Sequence, residues 1–198
     1  MRKTLCFLPM ILLLLFCGCE SRQQVKEPEQ IQAFYRQTVA AQLQARVCCQ
    51  YDDAVREYDF LCHWTEAEST VEVMAPAELA GIRALLKGEE LKLEYQGMSL
   101  DAGALSSREL SPVQALPLML RALRQGYVTG WCREKLDGKE SIHLTLDESS
   151  AGGKIYYDLW LDEAYRLLAG EIRVEEQVRF QCRIQAFTSE QGEGTPPQ

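Results

Sequence analysis

From position 178 to 186 every second residue is apolar. Val178, Phe180, Cys182, Ile184 and Ala186 alternate with Arg179, Gln181, Arg183 and Gln185. Successive side chains of a β-strand leave it on opposite faces, so this pattern buries one face and wets the other. A helix would spread the same residues around its whole circumference. The pattern recurs along the chain. Leu43, Ala45, Val47 and Cys49 alternate with Gln44, Arg46 and Cys48. Tyr58, Phe60, Cys62 and Trp64 alternate with Asp59, Leu61 and His63. Ile142, Leu144 and Leu146 alternate with His143 and Thr145. A chain built this way is confined to antiparallel sheet with one buried face.

Turn signals divide the pattern into hairpins. Asp52-Asp53 joins the first two runs. Lys87-Gly88-Glu89-Glu90 separates segments 82–86 and 91–95. Asp137-Gly138, a strong hairpin signal, separates 127–136 from 141–146. Segments 71–74, 97–101, 155–161 and 167–174 complete about ten or eleven strands. Residues 76–81 read as a short helical turn closed by Gly81.

Two segments switch to the helical period. Pro28 opens the first, 28–38, where Ile31, Phe34 and Tyr35 form one apolar stripe. In the second, 111–125, Ser111 is an N-cap candidate and Pro112 suits the first turn. Val113, Leu116, Leu120 and Leu123 make its apolar face, and Leu118 and Met119 widen it. Pro117 predicts a kink or restart, and Gly126 can end the helix. The expected fold is mainly β (α+β): one large curved antiparallel sheet with an N-terminal helix and a central lid helix on its concave side. A closed sandwich would not place an amphipathic helix midway through the chain.

The first residues carry an address. Arg2 and Lys3 precede an apolar run, 5–16, that is too short to span a bilayer, which takes ~20 residues. It fits the core of a secretory signal. Phe16-Cys17-Gly18-Cys19, followed by polar residues, resembles a bacterial lipoprotein signal. That resemblance implies cleavage before Cys19 and acylation of its sulfur, and two acyl chains hold a membrane far better than one. The expected organisation is a signal at 1–18, a polar tether at 19–27, one domain at 28–188 and a disordered tail at 189–198. The expected location is extracytoplasmic, on the cell membrane.

Charge restricts the partners. The chain has 21 basic and 29 acidic residues, a net charge of −8. Losing residues 1–18 removes Arg2 and Lys3 and no acid, which leaves −10. Nucleic acid is excluded as a partner, because phosphate backbones are held by clustered Lys and Arg. An anionic membrane face would repel such a domain, so the lipid on Cys19 is the expected attachment.

The sequence offers little catalytic chemistry. It contains no G-x-S-x-G elbow, H-E-x-x-H helix, Walker loop or G-x-G-x-x-G turn. Cys62 and His63 are strand neighbours that face opposite ways, as are Cys48 and Cys49, and no C-x-x-C occurs. Asp158 and Asp162 share a strand face by spacing, but surface and turn roles explain them better than acid–base catalysis. No metal, no cofactor and no enzymatic activity are expected. Cys49 and Cys62 share a face by alternation. A hairpin turn near 53–55 would bring 48–49 opposite 60–62, so Cys49–Cys62 or Cys48–Cys62 is a candidate disulfide in an exported chain. Buried free thiols are the alternative.

Three stretches carry a family resemblance: VEVMAPAELAGIRALLKGEELKLEY at 71–95, SPVQALPLMLRAL at 111–123 and YYDLWLDEAYRLLAGEIR at 156–173. With the strand order, they resemble the LolA family of lipoprotein-sorting carriers. Its relatives include lipid-anchored forms and spore germination lipoproteins of the GerS type. The resemblance implies an open half-barrel whose concave side holds acyl chains under a helical lid. An anchored chain departs from a soluble shuttle. Phe60, Trp64, Val73, Leu93, Leu144, Tyr157, Leu159, Phe180 and Ile184 would form the concave wall, with Leu116, Met119, Leu120 and Leu123 covering it. Pattern alone leaves two readings open, an occupied cavity or a filled core. Two functions follow: binding a lipid or acyl chain, or acting as a docking partner of an exported cell-wall protein such as an amidase.

Overall fold

A computed structural model describes residues 26–51, 54–88, 90–104, 110–149 and 153–192. The expected signal at 1–18, the expected anchor Cys19 and residues 20–25 of the expected tether lie outside them. Helix α1 spans Lys26–Gln37. The strands are β1 Thr38–Tyr51, β2 Ala54–Thr65, β3 Ser69–Ala75, β4 Arg83–Lys87, β5 Glu90–Tyr95 and β6 Met98–Ala104. A 3-10 turn at Pro112–Gln114 leads into helix α2, Ala115–Gln125. Then come β7 Tyr127–Leu136, β8 Lys139–Asp147, β9 Ile155–Leu161, β10 Leu167–Val174 and β11 Gln177–Gln191.

These form one 11-stranded sheet in the order β6-β5-β4-β3-β2-β1-β11-β10-β9-β8-β7. Every neighbouring pair is antiparallel. The expected mainly β architecture with two helices is the one observed. The order also explains the position of α2. β6 and β7 are the two edges of the sheet, yet they follow one another in the chain. The connection between them must cross a whole face, and α2 lies in that crossing. It buries Leu116, Met119, Leu120 and Leu123, each no more than 1% exposed.

Residues from both wings join one core. Val71 and Leu86 on one side, Leu144 and Tyr157 on the other, and Ile31 and Leu120 from the helices belong to a single cluster. Two short helices reach both wings of so wide a sheet only if it curls toward them. At the centre β1 and β11 pair along almost their whole length, with Thr38 opposite Gln191 and Cys49 opposite Phe180. Gln44 pairs with Ala186 and Ala45 with Ile184, so Gln185 of β11 is a bulge; it turns Ala186 outward, against expectation, and keeps Leu43, Ala45, Ile184 and Phe187 on or against the core.

Several boundaries differ from expectation. β1 begins at Thr38, not near Leu43, because buried Thr38 and Ala41 extend the inward row. β11 continues to Gln191, so residues 189–191 are strand and not tail. Their side chains are polar, but β1 supplies ladder partners, Gln191 Nε2 donates to Thr38 Oγ1 at 3.0 Å, and the Gly192 amide donates to the Gln37 carbonyl at 2.8 Å. Residues 193–198 lie outside the description. Residues 76–81 form turns ending at Gly81, whose φ of +85° suits glycine. Pro117 neither kinks nor breaks α2. It is the third residue of the helix, where a backbone N–H has no intrahelical partner to lose.

The candidate disulfide is overturned. Tyr51 pairs with Ala54 across a two-residue connection, which puts Cys49 opposite Arg56, Cys48 opposite Glu57 and Cys62 opposite Leu43. The strand begins well before Tyr58, so Cys49 and Cys62 are six ladder steps apart, roughly 20 Å. A bridge needs Cα atoms within ~7 Å. Cys48, Cys49, Cys62, Cys132 and Cys182 are all free. Burial pushes the Cys62 thiol up to about 12. Burial, and then the charge of Cys48, push Cys49 up to about 12 as well. Buried Cys182 is also raised, by burial and then by Cys49 and Cys48. Native protein treated with iodoacetamide should therefore react first at exposed Cys132, whereas Cys49, Cys62 and Cys182 wait for denaturant. All five should react in denaturant without reductant; a protected pair in the peptide map would reinstate a bridge.

Candidate functional site: a groove beside the lid helix

Helix α2 has two working faces. Leu116, Met119, Leu120 and Leu123 enter the sheet core. Pro117, Leu118, Arg121, Arg124 and Gln125 look sideways and line an open-sided groove of about 570 Å³. The opposite bank is the end of β2, its turn and the first residue of β3, Trp64 to Ser69, with Leu86 of β4 and Gly88 in the turn after it. Leu110, Gln114 and Ile155 close the ends. The 3-10 turn sets the helix start here: the Ser111 amide donates to Gln114 Oε1 at 2.6 Å, and the Gln114 amide donates to the Ser111 carbonyl at 2.9 Å.

The lining is divided by chemistry. Trp64, Leu86, Leu110, Pro117, Leu118 and Ile155 supply apolar side chains, interspersed with the charged Glu66, Glu68, Arg121 and Arg124. Both arginines are held by carboxylates. Arg124 donates to Glu66 Oε2 at 2.8 Å and to the carbonyl of Thr38 at 3.1 Å, which ties α2 to β1. Arg121 donates to Glu148 Oε2 at 3.1 Å, and the Tyr157 hydroxyl donates to the same oxygen at 2.8 Å. Burial, and then the Glu148 charge, raise the Tyr157 hydroxyl far above its ordinary range, so it stays a donor. With both arginines paired, the groove offers apolar side chains beside compensated charges, which suits a ligand of modest size with apolar and polar parts.

The residues expected to form the wall do not form this groove. Phe60, Val73, Leu144, Tyr157, Leu159 and Phe180 are buried in the core with Leu116, Met119, Leu120 and Leu123, while Leu93 and Ile184 pack half-buried against it. Trp64 is the wall position that also lines the groove. At the other positions the sheet is filled by its own helices. Leu86, Leu110, Pro117, Leu118 and Ile155 were not singled out as site residues. Leu118 carried the one usable signal, since it widens the apolar arc of α2 beyond what a single contact needs.

Asp158 and Asp162 do not form a pair. Asp162 lies past the end of β9 and accepts the amides of Ala164 and Arg166, both at 2.9 Å, as a turn residue. Asp158 is 8% exposed and sits on the opposite sheet face from the helices.

The fold and groove together define a class: an open antiparallel sheet, curled around a crossing helix, with a ligand-sized groove on the helix flank. No helix among the described residues is long and apolar enough to cross a membrane. No family model matches the chain, and no curated protein matches it. Among solved structures the chain is similar to a LolA superfamily protein from Nitrosomonas europaea, at 13% identity and a TM-score of 0.45, over 88% of this chain and 94% of that one. It is similar to the lipoprotein LppX of Mycobacterium tuberculosis, at 12% identity and a TM-score of 0.46, over 84% and 96%. It is also similar to LprF of Mycobacterium bovis, at 14% identity and a TM-score of 0.40, over 87% and 97%.

Proposed function

We propose that this chain is a membrane-anchored extracytoplasmic lipoprotein that binds a lipid or acyl chain, without catalysis, in the groove beside α2. The observation that carries the reading is the groove itself: about 570 Å³, with Trp64, Leu86, Leu110, Pro117, Leu118 and Ile155 in its lining. That volume lies within the ~300–1,000 Å³ of small-molecule sites. The lipoprotein-like segment ending at Cys19 supplies the anchor in this reading, and the polar tether holds the domain near lipid.

The full chain purified in mild detergent should carry a co-purifying lipid in native mass spectrometry, released on organic extraction and identified by fragmentation. The Leu118→Glu chain should carry none. A wild-type chain that is lipid-free from several membranes would overturn the proposal.

A second reading has one observation in its favour. Edge strand β6 leaves Met98 and Leu100 66% and 64% exposed at a sheet edge that carries no further strand among the described residues. Such an edge suits docking of an exported cell-wall protein by strand addition. A lipid-free chain that captures a partner through β6 would favour it.

A further inference from the structure

We propose that Cys132, Glu134 and His143 form a binding site for a divalent transition ion of the zinc type, on the sheet face turned away from the helices. The hairpin register builds it. Asp137 and Gly138 form the two-residue turn, with φ of +52° and +80°, so Cys132 stands directly opposite His143. Glu134, two residues along β7, points to the same face. The Cys132 Sγ lies 4.0 Å from His143 Nδ1, and Glu134 Oε1 lies 3.3 Å from the same nitrogen. All three donor atoms fall within 4.8 Å of one another. Bonds of ~2.3 Å to sulfur and ~2.0–2.1 Å to nitrogen and oxygen set tetrahedral donor separations of roughly 3.3–3.6 Å, so the nitrogen and oxygen already stand at the right spacing and the exposed thiol must swing in by up to roughly 1 Å.

The surroundings point the donors inward. His143 Nε2 lies 3.1 Å from Asp158 Oδ1. Asp158 also accepts from Thr145 Oγ1 at 3.0 Å and pairs with Arg173. A carboxylate so placed takes a proton donor from the ring, so Nε2 carries the hydrogen and Nδ1 presents its lone pair. That lone pair faces an oxygen of Glu134, acceptor against acceptor. A bound cation resolves the conflict, and the thiol beside it adds a soft third ligand. The ring is held by stacking on Trp160, centroids 4.5 Å apart and planes 12° apart. The Trp160 indole N–H donates to Glu134 Oε1, fixing the second ligand. Asp158 is thus a positioning residue of the carboxylate–histidine–metal kind. A sulfur, nitrogen and oxygen donor set selects zinc-type ions over magnesium or calcium. On binding, the Cys132 thiol gives its proton to solvent and the sulfur bonds the ion; thiolate and carboxylate then balance the two positive charges. Cys132 and Glu134 are exposed, so solvent fills the fourth position.

Cobalt(II) titration of the full chain in detergent tests the site. A sulfur-to-cobalt charge-transfer band should appear with ligand-field bands of tetrahedral intensity, saturate stoichiometrically, and vanish when zinc is added. Cys132→Ser should abolish the charge-transfer band, His143→Gln should weaken binding, and Asp158→Asn should weaken it ~10–100-fold. Cys48→Ser should leave the spectrum unchanged. Cys132 is exposed, so its variant should keep the wild-type circular dichroism. No charge-transfer band in folded protein, or a band that survives Cys132→Ser, overturns the site. The site and the groove lie on opposite faces, so failure here leaves the lipid reading standing.

Discussion

Leu120→Glu is expected to unfold the domain, and Leu118→Glu, two positions earlier on the same helix, to leave it folded but empty. Leu120 is 1% exposed in the main core. Removing its side chain alone would cost ~2–5 kcal/mol, and an unpaired carboxylate buried in its place adds several more. The sum rivals the ~5–15 kcal/mol that holds a domain together. Leu118 lines the groove and is half-buried, so a glutamate there can reach water, at a cost of about 1 kcal/mol. The same charge should nonetheless expel an apolar ligand, because the chain would have to lie against it. Urea melts followed by circular dichroism read the first effect, and native mass spectrometry reads the second. If both variants unfold, α2 has only one working face and the groove is not a ligand site. If Leu118→Glu keeps its lipid, the ligand lies elsewhere.

That contrast marks how far the sequence could be read. Alternation along Leu43–Cys49 and Val178–Ala186 identifies strands because a pleated chain has only two faces, and each residue must choose one. It also picks most inward residues: Phe60, Leu144 and Phe180 are inward, but past the bulge at Gln185 the expected Ala186 is exposed and Phe187 turns in instead. It does not say what they touch. Whether Leu159 faces a void or a methionine depends on where α2 lies, and that depends on β6 and β7 being opposite edges of the sheet. Edge identity is a long-range fact with no local signal. Register is more accessible but unforgiving. Reading the first hairpin as starting at Tyr58 displaced Cys62 by six steps and suggested a bridge that the ladder excludes. Asp137-Gly138 was read correctly as a two-residue turn, and it alone places Cys132 opposite His143. Sequence spacing does not mark that pair, because strand partners are distant in the chain and adjacent in space.

A tight contact between helix and sheet at Gly170 provides a second test. Gly170 of β10 lies between Leu159 and Cys182 in the ladder, under Met119 of α2. A β-carbon at Gly170 would come within 2.7 Å of Leu159 Cδ2 and 2.8 Å of both Met119 Cε and Sδ. Glycine inside a strand often marks such an approach. The crowding atoms are side-chain ends, so Gly170→Ala should be absorbed by small shifts. Gly170→Val adds two further carbons in the same space and should cost ~2–3 kcal/mol by overpacking. Met119→Ala alone should cost ~2–5 kcal/mol through the cavity it leaves. In the double variant the valine fills space the methionine vacates, so the combined loss should fall short of the sum by ~1 kcal/mol or more. Urea denaturation of the four chains measures that coupling. Strict additivity would mean that α2 does not rest on Gly170. A coupled pair would show that the helix is held at a fixed height over the sheet, and this height sets the width of the groove along its flank.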